Sequence, residues 1–153
     1  MTLTAKRTGL LKSGYEISLA GRALVRWDAK TWKVGGSFTL DDQRYDVRTN
    51  ALATKYELLD QDGASVAVAH RVGRKQWTVE ADGQTYTFER GSMWREEQKL
   101  TLGGQQVGTI RRTSVWSGAA AADLPGLPLL VQVFVLLVAL SSWDVTAAVA
   151  ASA

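Results

Sequence analysis

The sequence predicts a mainly β domain, an antiparallel meander of short strands closed into a barrel around a central hydrophobic C-terminal helix. Three observations carry that expectation. From Tyr15 to Arg112 apolar and polar residues alternate with a period of two, as strands with one buried face do. Residue pairs that tolerate positive φ interrupt the alternation at Ala20-Gly21, Asp41-Asp42, Asp62-Gly63, Asp82-Gly83 and Gly103-Gly104, which reads as sequential hairpins. Finally, the 41 residues from Thr113 to Ala153 contain no Lys or Arg and only two carboxylates, Asp123 and Asp144. At 153 residues the chain suits one domain, 1–153, with strands over about 15–122 and a core helix over about 125–143.

The first 13 residues hold only Leu10 and Leu11 where a signal peptide needs a longer apolar run, so secretion by that route is not expected. Tyr15, Ile17 and Leu19 then alternate with Glu16 and Ser18. Trp32, Val34, Phe38 and Leu40 share a parity, and Tyr45, Val47 and Thr49 oppose Arg44, Asp46 and Arg48. Val66, Val68, His70 and Val72 read as one inward face, followed by Trp77 with Val79, Tyr86 with Phe88, and Leu100 with Leu102. Gly35-Gly36, and Ala67 with Ala69, fit either the walls around a close-packed helix or a bulge and a strand edge. Gly63, Val66, Ala67 and Arg71 recur at the same offsets as Gly104, Val107, Gly108 and Arg112, a short internal similarity.

Leu127 to Leu140 reads LPLLVQVFVLLVAL, and Pro125 and Pro128 suit a helix's first turn. A helix apolar on every face lies in a core or in a membrane. The strict run is 14 residues against the roughly 20 of a span, and no basic anchor follows it, which favours burial. A barrel of ten or more strands is too wide for its own side chains to fill, and this helix would occupy it. The alternative is a hollow, small-ligand-binding barrel with the tryptophans at 27, 32, 77, 94, 116 and 143 around its cavity and the tail as a C-terminal membrane anchor.

With 46% hydrophobic and 22% charged residues the chain is neither disordered nor a coiled coil. The absence of Cys removes disulfides, thiolate nucleophiles and Cys-ligated zinc, and His70 as the only histidine removes multi-histidine metal sites. His70 reads as a hydrogen-bonded core residue, and Glu96-Glu97 fall on opposite strand faces rather than forming a catalytic pair. The expectation is therefore a non-enzymatic protein with no cofactor and no metal. Basic residues cluster at Lys6-Arg7, at Arg71, Arg74 and Lys75, and at Arg111-Arg112. The last two clusters end the two similar hairpins, which makes them candidates for an anionic headgroup, the plainer reading being solvated strand ends. A formal charge of +3 and the lack of a recognition helix or zinc finger give no expectation of nucleic-acid binding.

Three segments carry a likeness to a known family: YELLDQDGASVAVAHR (Tyr56 to Arg71), LTLGGQQVGTIRR (Leu100 to Arg112) and LPGLPLLVQVFVLLVALSSW (Leu124 to Trp143). A meander of such hairpins closed by one very hydrophobic helix resembles the tubby-like superfamily, which includes tubby C-terminal domains, phospholipid scramblases and LURP-one-related proteins. The resemblance implies a barrel of about 10–12 strands threaded by its helix. It also implies a binding module whose partner is an anionic phospholipid surface, in a cytoplasmic protein peripheral to the membrane. Two features of the family are not matched. The acidic calcium-binding stretch of scramblases has no counterpart beyond Asp60 and Asp62, which a hairpin turn explains, and the phosphoinositide pocket of tubby proteins cannot be aligned residue by residue.

Overall fold

The computed structural model describes residues 2–8, 14–31, 35–91, 96–114 and 117–152. Twelve strands run in order: β1 (Thr2–Arg7), β2 (Gly14–Leu19), β3 (Arg22–Thr31), β4 (Gly35–Leu40), β5 (Gln43–Thr49) and β6 (Tyr56–Leu59), then β7 (Ser65–His70), β8 (Gln76–Ala81), β9 (Gln84–Arg90), β10 (Glu97–Leu102), β11 (Gln105–Arg112) and β12 (Ala120–Asp123). Each pairs antiparallel with its neighbour in sequence, and β12 pairs with β1, so the sheet is a closed barrel. The helix α1 (Leu129–Ser152) fills it. Strands begin earlier than the sequence reading placed them. Leu3 and Ala5 of β1 are fully buried, and β1 supplies the closing edge that a short, weakly patterned N-terminal stretch did not announce.

Four hairpins, at Ala20-Gly21, Asp41-Asp42, Asp82-Gly83 and Gly103-Gly104, hold both central residues at positive φ, the type I′ geometry whose twist matches that of the strands. In the fifth, the Asp60 carboxylate accepts the backbone N–H groups of Asp62 and Ala64, both at 2.9 Å, and Gly63 takes φ 81. A loop-building role for Asp60 follows directly. The internal similarity is a repeated bulge. In β6–β7 and β10–β11 the ladder slips one residue at Val66 and Val107, three positions after the turn glycine, and β2–β3 does the same at Leu24 after Gly21.

Residues Val131 to Leu140 are buried without interruption. The one polar member, Gln132, donates its side-chain amide to the Leu127 carbonyl at 2.7 Å. The helix backbone comes closest to β7 and β12, on nearly opposite walls, and the inward residues there are small: Ala67 and Ala69 against Ala120 and Ala122. Larger rings fill the sides in between. Trp27 and Phe38 lie 6.4 Å apart between centroids, and Trp77 and Phe88 stack at 4.6 Å. The interior is thus packed rather than hollow, with Trp27 and Trp77 in the core, while Trp32, Trp94 and Trp116 lie outside the described residues. By length and composition Leu129–Ala147 could cross a membrane, but most of it is enclosed by the barrel.

Several local expectations are corrected. Ala67 and Ala69 take the inward face of β7, where the helix backbone comes close, so His70 points outward, its Nε2 3.7 Å from a Glu80 carboxylate oxygen. Val72 turns inward only because Arg71 adopts φ 61. Leu102 sits at the hairpin tip beyond the core and is exposed. Gly35 lies opposite a bulge at Lys30 of β3 and takes φ 87, and a Cβ there would meet the Val47 carbonyl of β5 rather than the helix. Pro125 belongs to a turn before the helix: Leu127 N–H returns to Leu124 O, with Gly126 at φ 87 supplying the type II geometry. The helix starts after Pro128, whose carbonyl accepts Gln132 N–H at 2.9 Å, and it continues past Trp143 to Ser152.

Candidate functional site

In a meander, odd-numbered strands finish and even-numbered strands begin at the same end of the barrel. The helix leaves through that end, because Asp144 near its C-terminus meets Arg7 at the end of β1 and Tyr15 near the start of β2. All five tight hairpins lie at the opposite end.

The exit is closed by a buried polar cluster. Asp144, 6% exposed, accepts from Arg7 Nη2 and from the Tyr15 hydroxyl, both at 2.8 Å, and Arg112 Nη2 stands 3.6 Å away. Arg112 donates Nε to Glu96 at 2.8 Å and Nη1 to the Gly118 carbonyl at 2.7 Å, while its guanidinium covers the Trp143 ring at 5.1 Å. Burial pushes the Asp144 carboxyl above its usual range, and the Tyr15 hydrogen bond and the two guanidinium groups oppose that rise without cancelling it. Burial also raises Tyr15. Burial works against the Arg112 charge, yet its pKa stays above the ordinary value because Tyr15 and Glu96 accept from it. Nearby, burial pushes Tyr56 up to about 12. Its hydroxyl has no hydrogen-bond partner among the described residues, since Thr49, which favours the phenolate, does not reach bonding geometry.

Around this plug the surface is cationic. Arg71, Arg74 and Lys75 are exposed on the β7–β8 turn, which the Arg74 N–H to Arg71 carbonyl bond tightens. Arg90 at the end of β9 donates its N–H to the Lys75 carbonyl at 2.7 Å, which adds a fourth cation on the adjoining strand end, and Lys55 is exposed one loop away. Arg111 is exposed farther round the wall, with β9 and β10 between it and the β7–β8 turn. Among the described residues no salt bridge engages Arg71, Arg74, Lys75, Arg90, Lys55 or Arg111. The opposite end carries Asp41, Asp42, Asp60, Asp62 and Asp82 in its turns and no Lys or Arg at their central positions, with the exposed Arg22 closing the Ala20-Gly21 hairpin. The polarity complements the helix dipole, whose negative end emerges among the cations.

Of the residues singled out from the sequence, the structure therefore brings Arg71, Arg74, Lys75 and Arg111 to one end, exposed. Arg112 is at the same end but withdrawn, its side chain 8% exposed and committed to Glu96 and Gly118. Sequence reasoning missed Lys55 and Arg90, which the up-and-down order of the strands brings to the end that bears the β7–β8 turn. It also missed Asp144, whose partner Arg7 lies 137 residues away in the chain. Among the described residues no group of three His, Cys, Asp or Glu side chains is placed to hold a metal.

The fold and this end together define a twelve-stranded antiparallel barrel filled by its own helix, with one cationic and one acidic end. Comparison with family models, with curated proteins and with solved structures finds no match to the chain.

Proposed function

We propose that this chain is a tubby-like, non-enzymatic binding module that docks its helix-exit end on an anionic phospholipid surface at the cytoplasmic face of a membrane. Arg71, Arg74, Lys75 and Arg111 contact the headgroups. The observation that carries the reading is the charge partition: exposed cations without carboxylate partners among the described residues at one end, and carboxylates in the turns of the other. Like charges crowded on β7, β8 and β9 repel one another until an anion answers them. At about 1 kcal/mol per cation near an anionic leaflet, four of them give on the order of 4 kcal/mol, a roughly thousandfold enrichment over neutral lipid. Twelve meander strands around a C-terminal helix, the arrangement the resemblance implies, support the family part of the reading.

Sedimentation with vesicles tests it. Binding is expected to phosphatidylserine-containing vesicles and not to neutral phosphatidylcholine, and it should weaken as salt screens the surface. The triple variant R71E/R74E/K75E should stay in the supernatant. Equal and negligible binding to both vesicle types overturns the lipid reading.

A further inference from the structure

Leu52 is 80% exposed, the most exposed large hydrophobic side chain among the described residues, and it stands at the cationic end on the β5–β6 loop, beside the β7–β8 turn. The loop that carries it is built rather than loose. Asn50 organises it from within: its Oδ1 accepts the N–H groups of Thr54 at 2.8 Å and Lys55 at 3.1 Å, its Nδ2 donates to the Thr54 hydroxyl at 2.8 Å, and its carbonyl accepts Ala53 N–H at 3.1 Å. The Val72 N–H then donates to the Thr54 carbonyl at 2.9 Å, which joins the loop to the turn bearing Arg71, Arg74 and Lys75. Leucine and cations are one unit.

Between them runs a groove of about 230 Å³, with Leu52 and Ala53 on one side, Gly73 and Arg74 on the other, and Val145 and Thr146 of the emerging helix as its third wall. The helix goes on past the rim with Thr146, Ala147 and Ala150 exposed, and the sequence has no charge after Asp144. An apolar projection flanked by cations fits an interface with acyl chains beneath it and phosphates beside it.

We propose that Leu52 and the projecting end of the helix enter the acyl boundary of an anionic phospholipid bilayer, with a lipid phosphate held over the groove by Arg74. The proposal deepens the docking reading and rests on it. It fixes an orientation: the barrel stands with the helix pointing into the membrane and the acidic hairpins facing away.

The chain has no cysteine, so a single introduced thiol reports one position. In the full chain, L52C and Q61C, the latter on an acidic-end hairpin, are labelled with an environment-sensitive nitrobenzoxadiazole dye and mixed with phosphatidylcholine vesicles containing phosphatidylserine. The dye at position 52 should brighten severalfold and be quenched by brominated acyl chains, with no change at position 61. L52D should lower partitioning about tenfold or more, as loss of one buried leucine implies, with its thermal melt unchanged because the side chain is already in water. If anionic vesicles still sediment the protein but the dye at 52 stays in water, insertion is wrong and surface docking stands. If nothing sediments, both fall. If wild-type protein without lipid is a dimer that L52D converts to monomer, the face binds a second copy and the insertion proposal is overturned.

Discussion

At the acidic end of the barrel four of the five hairpins hold two consecutive residues at positive φ, and with the exception of Ala20 the residue types follow from that: Gly, or an Asp that tolerates the left-handed region. The carboxylates there are a by-product of turn chemistry. At the helix-exit end the loops are longer, and their cations meet no such backbone demand. Arg71 even sits at φ 61, where an arginine is strained. One end is explained by how the chain must turn, and the other holds residues that the fold alone does not require.

The largest test of the contrast removes what joins the two ends. Truncation after Asp123 takes away α1 and leaves Ala67, Val79, Phe88 and Ile110 facing an empty interior, so the remainder should aggregate or unfold, as circular dichroism and sedimentation would register. A folded, soluble remainder would refute the role of the helix as core. Next, Asp144→Leu removes the acceptor that Arg7, Tyr15 and Arg112 converge on. It should cost about 3 kcal/mol in urea denaturation, the low side of a broken buried pair because Arg7 is half-exposed.

Asp144→Asn should cost about 1 kcal/mol or less, since the amide carbonyl still accepts. The pH dependence has a definite sign. Because folding raises the Asp144 pKa, its contribution is fully present below the ordinary value of 3.8 and is lost as pH rises through the folded value. Wild type should therefore lose stability relative to D144N over that interval.

Smaller effects separate the two ends more finely. Arg71→Gly should relieve left-handed strain and raise stability by about 0.5–1 kcal/mol while weakening binding to anionic vesicles about fivefold. The opposite signs identify a residue kept against the interest of the fold. Charge changes at Asp41, Asp62 and Asp82 should leave vesicle binding intact. Tyr56→Phe removes a buried hydroxyl with no partner among the described residues, and the melting temperature should hold or rise slightly.

The acidic end was the legible one. Its turns carry Asp and Gly because backbone geometry selects them, and they recur once per hairpin, with the loops at the other end unmarked between them. The helix was legible because an uncharged run has few places to go. What escaped was set by contacts distant in sequence. β12 reads AAAD and β1 reads TLTAKR, and neither announces a strand until each pairs with the other. The facing of His70 goes with the close approach of the helix to β7, whose inward positions are the small Ala67 and Ala69. Leu52, in a loop with neither Gly nor Pro, offered no turn signal, since its shape comes from the Asn50 side chain. Arg71, Arg74, Lys75 and Arg111 were found by composition, but the withdrawal of Arg112 required knowing where Glu96 and Trp143 come to lie.

The closing ladder has a consequence for how the protein is made. β1 must wait for β12, and every inward side chain from Leu3 to Ile110 must wait for Leu129–Ser152, which the ribosome delivers after all twelve strands. Hairpins can zip as they emerge, but a sheet without its filling exposes the wide apolar face that invites misassembly. Closure joins residues more than a hundred positions apart, so the last step of folding is slow by topology and falls after synthesis of the helix.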